Sequence, residues 1–373
     1  MKIFYFSGAT LPSDSAQSVH VMKMCAALAQ DSKSNAVTLF AKGAPGSDDE
    51  AIFNYYGIEP CFSLILPVAS KIPVLSGMLR LSGHRLALKE TGMPDIAYGR
   101  DPVALNWLIP ENIPVIYEAH QVPRSFLEKR AVKNLLQQRR LMALVVISNG
   151  LKTDFIKAFP KLRQSKIFVA PDGADISVKN LAPRELAGCA DALKVGYTGS
   201  LHEGKGMEII ALLAKEAKDF DFHVVGGSLQ QVQAWRKDAL PNLFMHGHVP
   251  HGELGAYLAA FDVLIAPYRT RTTIKTGVDI SKWMSPMKIF EYMAAKKPIM
   301  ASDLPVIREI LKDGENALLL SPSEPRAWIA ALEKLKDEGL RNSLAARAYA
   351  DLQEKYTWKK RARAILKFVD KGN

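Results

Sequence analysis

The stretch that decides the fold is Ser285-Pro-Met-Lys-Ile-Phe-Glu-Tyr-Met-Ala-Ala295, followed by Lys-Lys-Pro-Ile-Met-Ala-Ser-Asp-Leu-Pro305. Its first part predicts a helix, because Ser285 is a good N-cap and Pro286 suits the first turn. Its second part predicts a short buried strand from Pro298 to Ala301, as in an α/β unit. The N-terminus of such a helix suits an anion such as a diphosphate. On the capping pattern alone, an ordinary structural helix is the more common explanation.

Working outward, short apolar segments that end in glycine or polar residues recur in both halves of the chain. We predict a strand over 3–8, a polar loop over 9–17 and a helix capped by Ser18. Further strands are predicted at 37–41, 95–100, 115–120, 144–148, 193–199, 222–227, 243–249 and 262–268. Parallel sheets of this kind place ligands at the ends of their strands. The fingerprint Gly-x-Gly-x-x-Gly is absent, which argues against an NAD enzyme.

Length and composition favour two globular domains. The chain has 373 residues, of which 48% are hydrophobic and 23% charged, which suits a soluble protein of two ordinary domains. Three widely spaced cysteines (Cys25, Cys61 and Cys189) predict reduced thiols. Neither a signal peptide nor an apolar run of membrane-spanning length is evident. We therefore expect a cytoplasmic protein.

The net charge of +11 is not evenly placed along the chain. One basic run extends from Arg124 to Lys166, and a basic and partly apolar stretch extends from Lys71 to Lys89. Such surfaces attract nucleic acid, acidic lipid headgroups or phosphorylated acceptors, although a solvated basic face remains an equal alternative. No nucleic-acid-binding module is recognisable, so we expect no nucleic-acid partner.

The segment from Ser285 to Ala294, with Lys-Lys-Pro-Ile-Met-Ala-Ser-Asp behind it, resembles the donor-binding segment of the family 4 retaining glycosyltransferases. That family has the GT-B fold, an α/β architecture of two Rossmann-like domains that face each other across a cleft. The resemblance implies that Glu291 bonds the ribose hydroxyls of a nucleotide sugar. The family often has a second glutamate eight positions earlier, where this chain has Trp283.

Other segments match the family in the same order along the chain. The resemblance implies that Lys205 neutralises the donor phosphate, whereas the arginine that often follows the preceding glycine is Ser200 here. It also implies that the loop at Gly247 passes near the nucleobase. The complete set predicted to bind the donor is Gly8, Gly199, Ser200, Lys205, Gly247, His248, Val249, Ser285, Met287, Lys288 and Glu291.

His120 is the candidate catalytic residue of the first half. A lone histidine after a strand is usually structural, but Tyr117-Glu-Ala-His120 resembles the family's strand-end histidine, which faces the donor sugar. His120 and Lys205 are therefore the predicted catalytic residues, with Arg100 and Glu118 as weaker candidates. Asp219-Phe-Asp221 spells a metal-binding motif of another glycosyltransferase fold, but its position predicts a polar turn, and we predict no metal site.

These observations predict an acceptor-side domain over 1–178, on which a C-terminal helix over 358–373 packs, and a nucleotide-sugar domain over 179–357. The implied reaction is metal-independent transfer of a sugar, with retained configuration, from a nucleotide diphosphate sugar to an acceptor hydroxyl. The acceptor would be a glycan or a lipid-linked molecule of bacterial cell-surface polysaccharide or glycolipid assembly. We expect no cofactor besides this co-substrate, and association with an anionic membrane surface at the inner face of the cell membrane. A nucleotide-sugar 2-epimerase of the same fold and an inactive nucleotide-sugar-binding protein remain alternatives.

Overall fold

The computed structural model describes residues 1–46, 48–67, 73–176, 182–236, 240–274 and 277–371. By its internal contacts the chain forms two units, one of Met1–Pro171 with Trp358–Asn373 and the other of Asp172–Thr357. The contacts therefore divide between Pro171 and Asp172. The predicted boundary after residue 178 lies outside the described residues.

The first unit is built on a seven-stranded parallel sheet with the strand order β3-β2-β1-β4-β5-β6-β7. Its strands are nearly continuous apolar runs, as expected for a sheet that is covered on both faces. In chain order its elements are β1 (Lys2–Leu11), α1 (Ala16–Asp31), β2 (Ala36–Gly43), α2 (Asp49–Tyr56), β3 (Ser63–Ile65), α3 (Pro73–Thr91), β4 (Ile96–Gly99), α4 (Pro102–Trp107), β5 (Val115–Ala119), α5 (Phe126–Gln137), β6 (Leu141–Val146), α6 (Asn149–Ala158) and β7 (Ile167–Val169).

The beginning of the first unit differs from the sequence prediction. β1 does not end at Gly8 but continues to Leu11, because after a break in register Thr10 and Leu11 pair again with β2. Ser15, not Ser18, caps α1, since the Ser15 hydroxyl accepts the N–H of Ser18 at 3.2 Å. The Ser18 hydroxyl instead donates back to the backbone carbonyls of Ser13 and Ser15. The predicted polar loop is therefore only four residues long.

The second unit has a six-stranded parallel sheet with the order β10-β9-β8-β11-β12-β13. The α/β class predicted from the sequence is thus confirmed in both units. Its elements are β8 (Leu193–Thr198), α7 (Met207–Glu216), β9 (Phe220–Val225), α8 (Leu229–Arg236), β10 (Leu243–Gly247), α9 (Leu254–Ala260), β11 (Val263–Ala266), α10 (Met287–Ala294), β12 (Ile299–Ser302), α11 (Pro305–Arg308), β13 (Leu318–Leu320), α12 (Pro325–Lys334) and α13 (Glu338–Lys355).

Two local predictions in the second unit are wrong. Ser285 is not the N-cap of α10, because its hydroxyl accepts the backbone N–H of Asp172 at 2.8 Å and Pro286 occupies the cap position. Asp221 is not in a polar turn but in β9, where its buried carboxylate accepts from Lys194 Nζ at 2.6 Å. In both cases the deciding partner is distant in sequence.

The last helix, α14 (Trp358–Lys371), belongs to the first unit and packs on α1. Its buried residues are Trp358, Arg361, Ala362, Ile365 and Val369, spaced as one face of a helix. The helix thereby brings a buried arginine to the sheet of the first unit. Among the helices that the structure describes, none has the length and apolar content that a membrane span requires.

Candidate functional site

Three glycine-containing turns meet at the carboxyl ends of β8, β9 and β10 in the second unit. The N–H of Gly199 donates to the carbonyl of Val225 at 2.9 Å, and the N–H of Gly226 donates to the carbonyl of Gly247 at 2.6 Å. A Cβ atom on Gly226 would lie 2.1 Å from the carbonyl oxygen of Gly199. Only glycine at position 226 allows this approach. The turn at Val225 and Gly226 thus joins the turns of the predicted residues Gly199 and Gly247 into one continuous surface at the strand ends, here called the rim.

Lys205 lies in the loop between β8 and α7, and a neighbouring segment fixes the backbone of this loop. The carbonyl of Gly204 accepts the N–H of Arg269 at 2.9 Å and the hydroxyl of Thr272 at 3.1 Å. Gly206, at φ 90°, is the N-cap of α7. Between these two turns the Lys205 ammonium lies 5.1 Å from the ring centre of Tyr268. Burial lowers the pKa of Lys205 to about 8.

Lys288, in the first turn of α10, directs a second ammonium group to the same rim. Its Nζ lies 3.5 Å from the ring centre of Tyr197 and 5.2 Å from that of Tyr268. A Cβ atom on Gly199 would be 3.1 Å from this Nζ. Lys288 is 9% exposed, and its Nζ has no hydrogen-bond partner among the described residues. Burial and the Lys205 charge lower the pKa of Lys288 well below its usual value, although Glu291 opposes them.

The two lysines and the N-terminus of α10 together form a site for an anion. The first N–H groups of a helix have no carbonyl four residues back, and the helix dipole adds positive potential there. A buried ammonium without a hydrogen bond is costly unless a ligand supplies an acceptor. The rings of Tyr197 and Tyr268 offset only part of this cost. The arrangement can hold a diphosphate.

Glu291 lies one helical turn beyond Lys288 and is paired with His251. The distance between Glu291 Oε1 and His251 Nε2 is 2.8 Å, and the two side chains are 17% and 22% exposed. His251 thus holds Glu291 through Oε1. The carboxylate has further lone pairs that can accept hydrogen bonds from a ligand. His251 opens a short 3₁₀ helix from His251 to Glu253, directly after the loop that follows β10.

The remaining predicted donor residues occupy different environments. Ser200 accepts the hydroxyl of Tyr197 through its carbonyl at 2.7 Å, and Met287 is the first residue of α10. His248 is exposed, whereas Val249 packs against the apolar cluster that includes α10. Ser285 is buried and bonded to Asp172. Gly8 lies inside β1 of the first unit.

The first unit contains a buried polar cluster centred on Glu118. This carboxylate is fully buried at the end of β5. Its Oε1 lies 2.6 Å from His20 Nε2 and 2.7 Å from His120 Nε2, and its Oε2 accepts the hydroxyl of Tyr98. The predicted catalytic residue His120 is thus tied to Glu118, which the sequence indicated only as a weaker candidate.

Arg361 of α14 completes this cluster. Its Nη1 and Nη2 donate to the two oxygens of Glu118 at 3.2 and 3.1 Å. Burial alone raises the pKa of the Glu118 carboxyl, but Arg361 and His20 lower it, and on balance it lies well below its usual value. Burial and the charge of Arg100 lower the pKa of His120 to about 3, against the hydrogen bond to Glu118. The cluster therefore pairs an ionised carboxylate with a neutral histidine.

Several residues of the two sites were not predicted from the sequence. Tyr197, Tyr268 and His251 support Lys288 and Glu291 from segments between 20 and 91 positions away. Arg361 reaches Glu118 across 243 positions. No local pattern marks such partners, whereas Lys205 and Glu291 stand in motifs that identify them directly.

Residues 192–338 match the family model described as "Glycosyl transferases group 1". The predicted family resemblance is therefore confirmed for this part of the chain, which contains Gly199, Lys205, Lys288 and Glu291. No curated protein matches the chain in sequence.

Solved structures similar to the chain include three glycosyltransferase-fold proteins. HepE of Anabaena, in complex with UDP-glucose, is 18% identical over 100% of each chain, with a TM-score of 0.69. Sucrose-phosphate synthase of Thermosynechococcus elongatus is 17% identical over 99% of this chain and 98% of its own, with a TM-score of 0.73. WaaG, a glycosyltransferase involved in lipopolysaccharide biosynthesis, is 15% identical over 97% and 98%, with a TM-score of 0.67. These likenesses confirm the predicted GT-B fold.

Proposed function

We propose that this chain, whose residues 192–338 match the group 1 glycosyl transferases, is a retaining glycosyltransferase that uses a nucleotide diphosphate sugar. The observation that carries the proposal is the convergence of two ammonium groups, Lys205 and Lys288, on the N-terminus of α10. HepE, a protein of the same fold, was solved with UDP-glucose, which makes UDP-sugars the first donors to test.

The lysines contribute most when the bond between the anomeric carbon and the diphosphate oxygen breaks. Negative charge then accumulates on the departing nucleoside diphosphate, and cations fixed beforehand stabilise this charge more than that of the bound substrate. As that bond breaks, the acceptor oxygen bonds to the anomeric carbon, and its proton passes to the departing diphosphate oxygen. In this mechanism the protein itself supplies the positive field, through Lys205, Lys288 and the helix end.

Lys288 also accounts for the serine at position 200. The resemblance places an arginine there in many family members, directly after the glycine that corresponds to Gly199. In this chain the Lys288 ammonium lies next to Gly199 and supplies a cation at that place. This arrangement favours an active transferase over an inactive binding protein.

We further propose a glycan or lipid-linked acceptor at an anionic membrane surface, because one face of the first unit is apolar and basic. Six of the ten large exposed hydrophobic residues found among the described residues lie on α3, α4 and α5: Met78, Leu79, Leu86, Trp107, Phe126 and Leu127. These consecutive helices connect parallel strands in one direction across the sheet, so right-handed crossovers place them on the same face.

The same helices carry more exposed positive than negative charge. Exposed basic side chains are Arg85 and Lys89 on α3 and Lys129, Arg130 and Lys133 on α5. Among the described residues of these two helices, Glu90 is the one exposed acid. Apolar side chains surrounded by cations suit an anionic lipid surface. Part of the predicted basic stretch, Lys71 and the Leu75 side chain, lies outside the described residues. Arg140, which lies within the basic run, is buried and donates to backbone carbonyls, so it adds no charge to this surface.

The function is tested by incubating the chain with UDP-, GDP- and ADP-sugars and measuring release of free sugar and nucleoside diphosphate. Slow hydrolysis of one donor, reduced about tenfold or more in Lys205→Ala, is expected because Lys205 opposes charge that grows in the transition state. Conversion of the donor to a sugar epimer without acceptor would instead support the 2-epimerase alternative. Binding of a nucleotide sugar without any turnover would support an inactive binding protein.

A further inference from the structure

The hydrogen bonds around Glu118 determine which nitrogen of His120 carries the proton. An ionised carboxylate only accepts hydrogen bonds, and a neutral imidazole has one donor nitrogen and one acceptor nitrogen. Because His120 Nε2 lies 2.7 Å from Glu118 Oε1, Nε2 must be the donor while Glu118 is ionised. The lone pair of the neutral ring is then on Nδ1.

Arg361 keeps Glu118 in the ionised state. Its guanidinium is always charged and meets the carboxylate with two parallel N–H groups, the strongest arrangement for such a pair. Other N–H groups of Arg361 donate to the carbonyls of Pro171 at 2.9 Å and Ala170 at 3.2 Å. With its donors engaged in this way and only 4% exposure, Arg361 is fixed in place.

Two histidines share the same carboxylate oxygen, but they differ in access. His20 is 1% exposed and stacks edge-to-face on Trp358 at 5.1 Å and on His120 at 4.6 Å. The side chain of His120 is 16% exposed, so it is the ring that a ligand can reach. His20 thus supports the orientation of the His120 ring through this edge-to-face contact.

We infer that Arg361 and Glu118 are positioning residues that hold His120 as the neutral Nε2–H tautomer, so that His120 recognises a substrate through Nδ1 as an acceptor. The ligand chemistry that fits is a hydroxyl group that donates a hydrogen bond, as sugars offer, and not a phosphate or a carbonyl oxygen. This inference rests on the proposed function for the identity of the ligand as a sugar. The tautomer itself depends only on the cluster in the ligand-free chain.

The inference is tested by long-range ¹H–¹⁵N NMR of the full chain labelled at histidine, with the His120 signals assigned by comparison with His120→Gln. In the unliganded protein we expect His120 in the Nε2–H form by at least about tenfold, because hydrogen bonds to charged groups are worth about 1.5–3 kcal/mol. A predominant Nδ1–H form would overturn the inference. Failure to bind any nucleotide sugar would contradict the proposed function and leave this tautomer unchanged.

The role of Arg361 is tested with Glu118→Gln/Arg361→Gln, which removes both charges together and leaves no unpaired buried ion. A glutamine can donate or accept, so the tautomer ratio of His120 should fall to within about threefold of unity. The matched control is Arg363→Gln, since Arg363 lies on the same helix but pairs with Asp31 at the surface. A single Nε2–H tautomer in the folded double variant would show that Glu118 and Arg361 are merely structural. If the double variant does not fold, Arg361→Gln decides, because without the guanidinium burial favours the protonated carboxyl of Glu118, which can donate to His120, and the ratio should fall at least about threefold. An unchanged ratio would overturn the role of Arg361.

Discussion

Lys288 shows how a single residue can favour binding at the expense of stability. Its ammonium is buried against two tyrosine rings, has no hydrogen-bond partner among the described residues and lies near the Lys205 charge. Burial of an unpaired charge destabilises the empty protein. An anion that enters the site supplies the missing partner and favours the charged form of Lys288. Binding and stability are therefore expected to respond in opposite directions to its removal.

We expect Lys288→Met to weaken the affinity for UDP at least about tenfold while raising the free energy of unfolding by about 0.5–2 kcal/mol. Methionine fills a similar volume without a charge to desolvate. Calorimetric titration and chemical denaturation measure the two effects. Lys282→Met is the control, because Lys282 is exposed and should change neither quantity. A loss of both affinity and stability would argue that Lys288 is a structural residue.

The lowered pKa values of the two lysines predict that nucleotide binding takes up protons. Lys205 has a pKa of about 8 in the empty site, and that of Lys288 is also lowered. A bound diphosphate favours the charged forms and raises both pKa values, so affinity should fall as pH rises through 8. Titrations at pH 8 in buffers of different ionisation enthalpy should show proton uptake. Proton release, or affinity independent of pH between 7 and 9, would contradict the assignment.

At the scale of elements, α10 shows what sequence patterns can and cannot provide. The helix, the strand after it and the position of Glu291 were predictable, because apolar spacing and the family motif are local. The cap was not, since the Ser285 hydroxyl is used by Asp172, 113 positions earlier. Ser18 fails as the cap of α1 for a different and local reason, because Ser15, three residues earlier, accepts the N–H of Ser18. Serine predicts a role in hydrogen bonding, but the neighbouring backbone and the tertiary contacts decide which role it takes.

The Ser285 bond to Asp172 should stabilise the second unit. We expect Ser285→Ala to lower its free energy of unfolding by about 1–3 kcal/mol, because the buried N–H of Asp172 loses its acceptor. Thermal or urea unfolding measures the change. Ser125→Ala is an informative comparison, since Ser125 does cap a helix, α5, in the first unit and should cost only about 1 kcal/mol there. If Ser285→Ala were neutral, the bond would contribute nothing to the second unit.

At the scale of the whole molecule, the first unit has an exposed apolar face that the net charge alone could not reveal. A basic run indicates anions of any kind, whereas the exposure of Phe126 at 75% and Leu127 at 74% suggests insertion into a lipid surface. Hydrogen bonds of Ser125 and Glu128 to backbone N–H groups fix the first turn of α5, which carries both residues. Surface exposure depends on how helices pack, and sequence spacing does not determine it.

We expect the chain to co-sediment with anionic vesicles and to dissociate as salt rises. Each single substitution by Gln should weaken vesicle binding about fivefold, equivalent to about 1 kcal/mol, when it is made at Lys129, Arg130 or Lys133. The double substitution Phe126→Ser/Leu127→Ser should weaken the vesicle binding that persists at high salt. Leu229→Ser is the matched control, because Leu229 is 72% exposed but belongs to the second unit. Equal, negligible binding to anionic and neutral vesicles at low salt would disprove the membrane proposal.

The position of α14 also sets an order of events during synthesis on the ribosome. The first unit starts at residue 1 but lacks its last helix until residue 371 has emerged, whereas the second unit is one continuous segment. At translation rates of about 5–20 residues per second, the 243 positions from Glu118 to Arg361 take about 10–50 s. During that time Glu118 has no arginine to neutralise it and must remain hydrated or protonated. The nascent chain can therefore complete its second unit before its first.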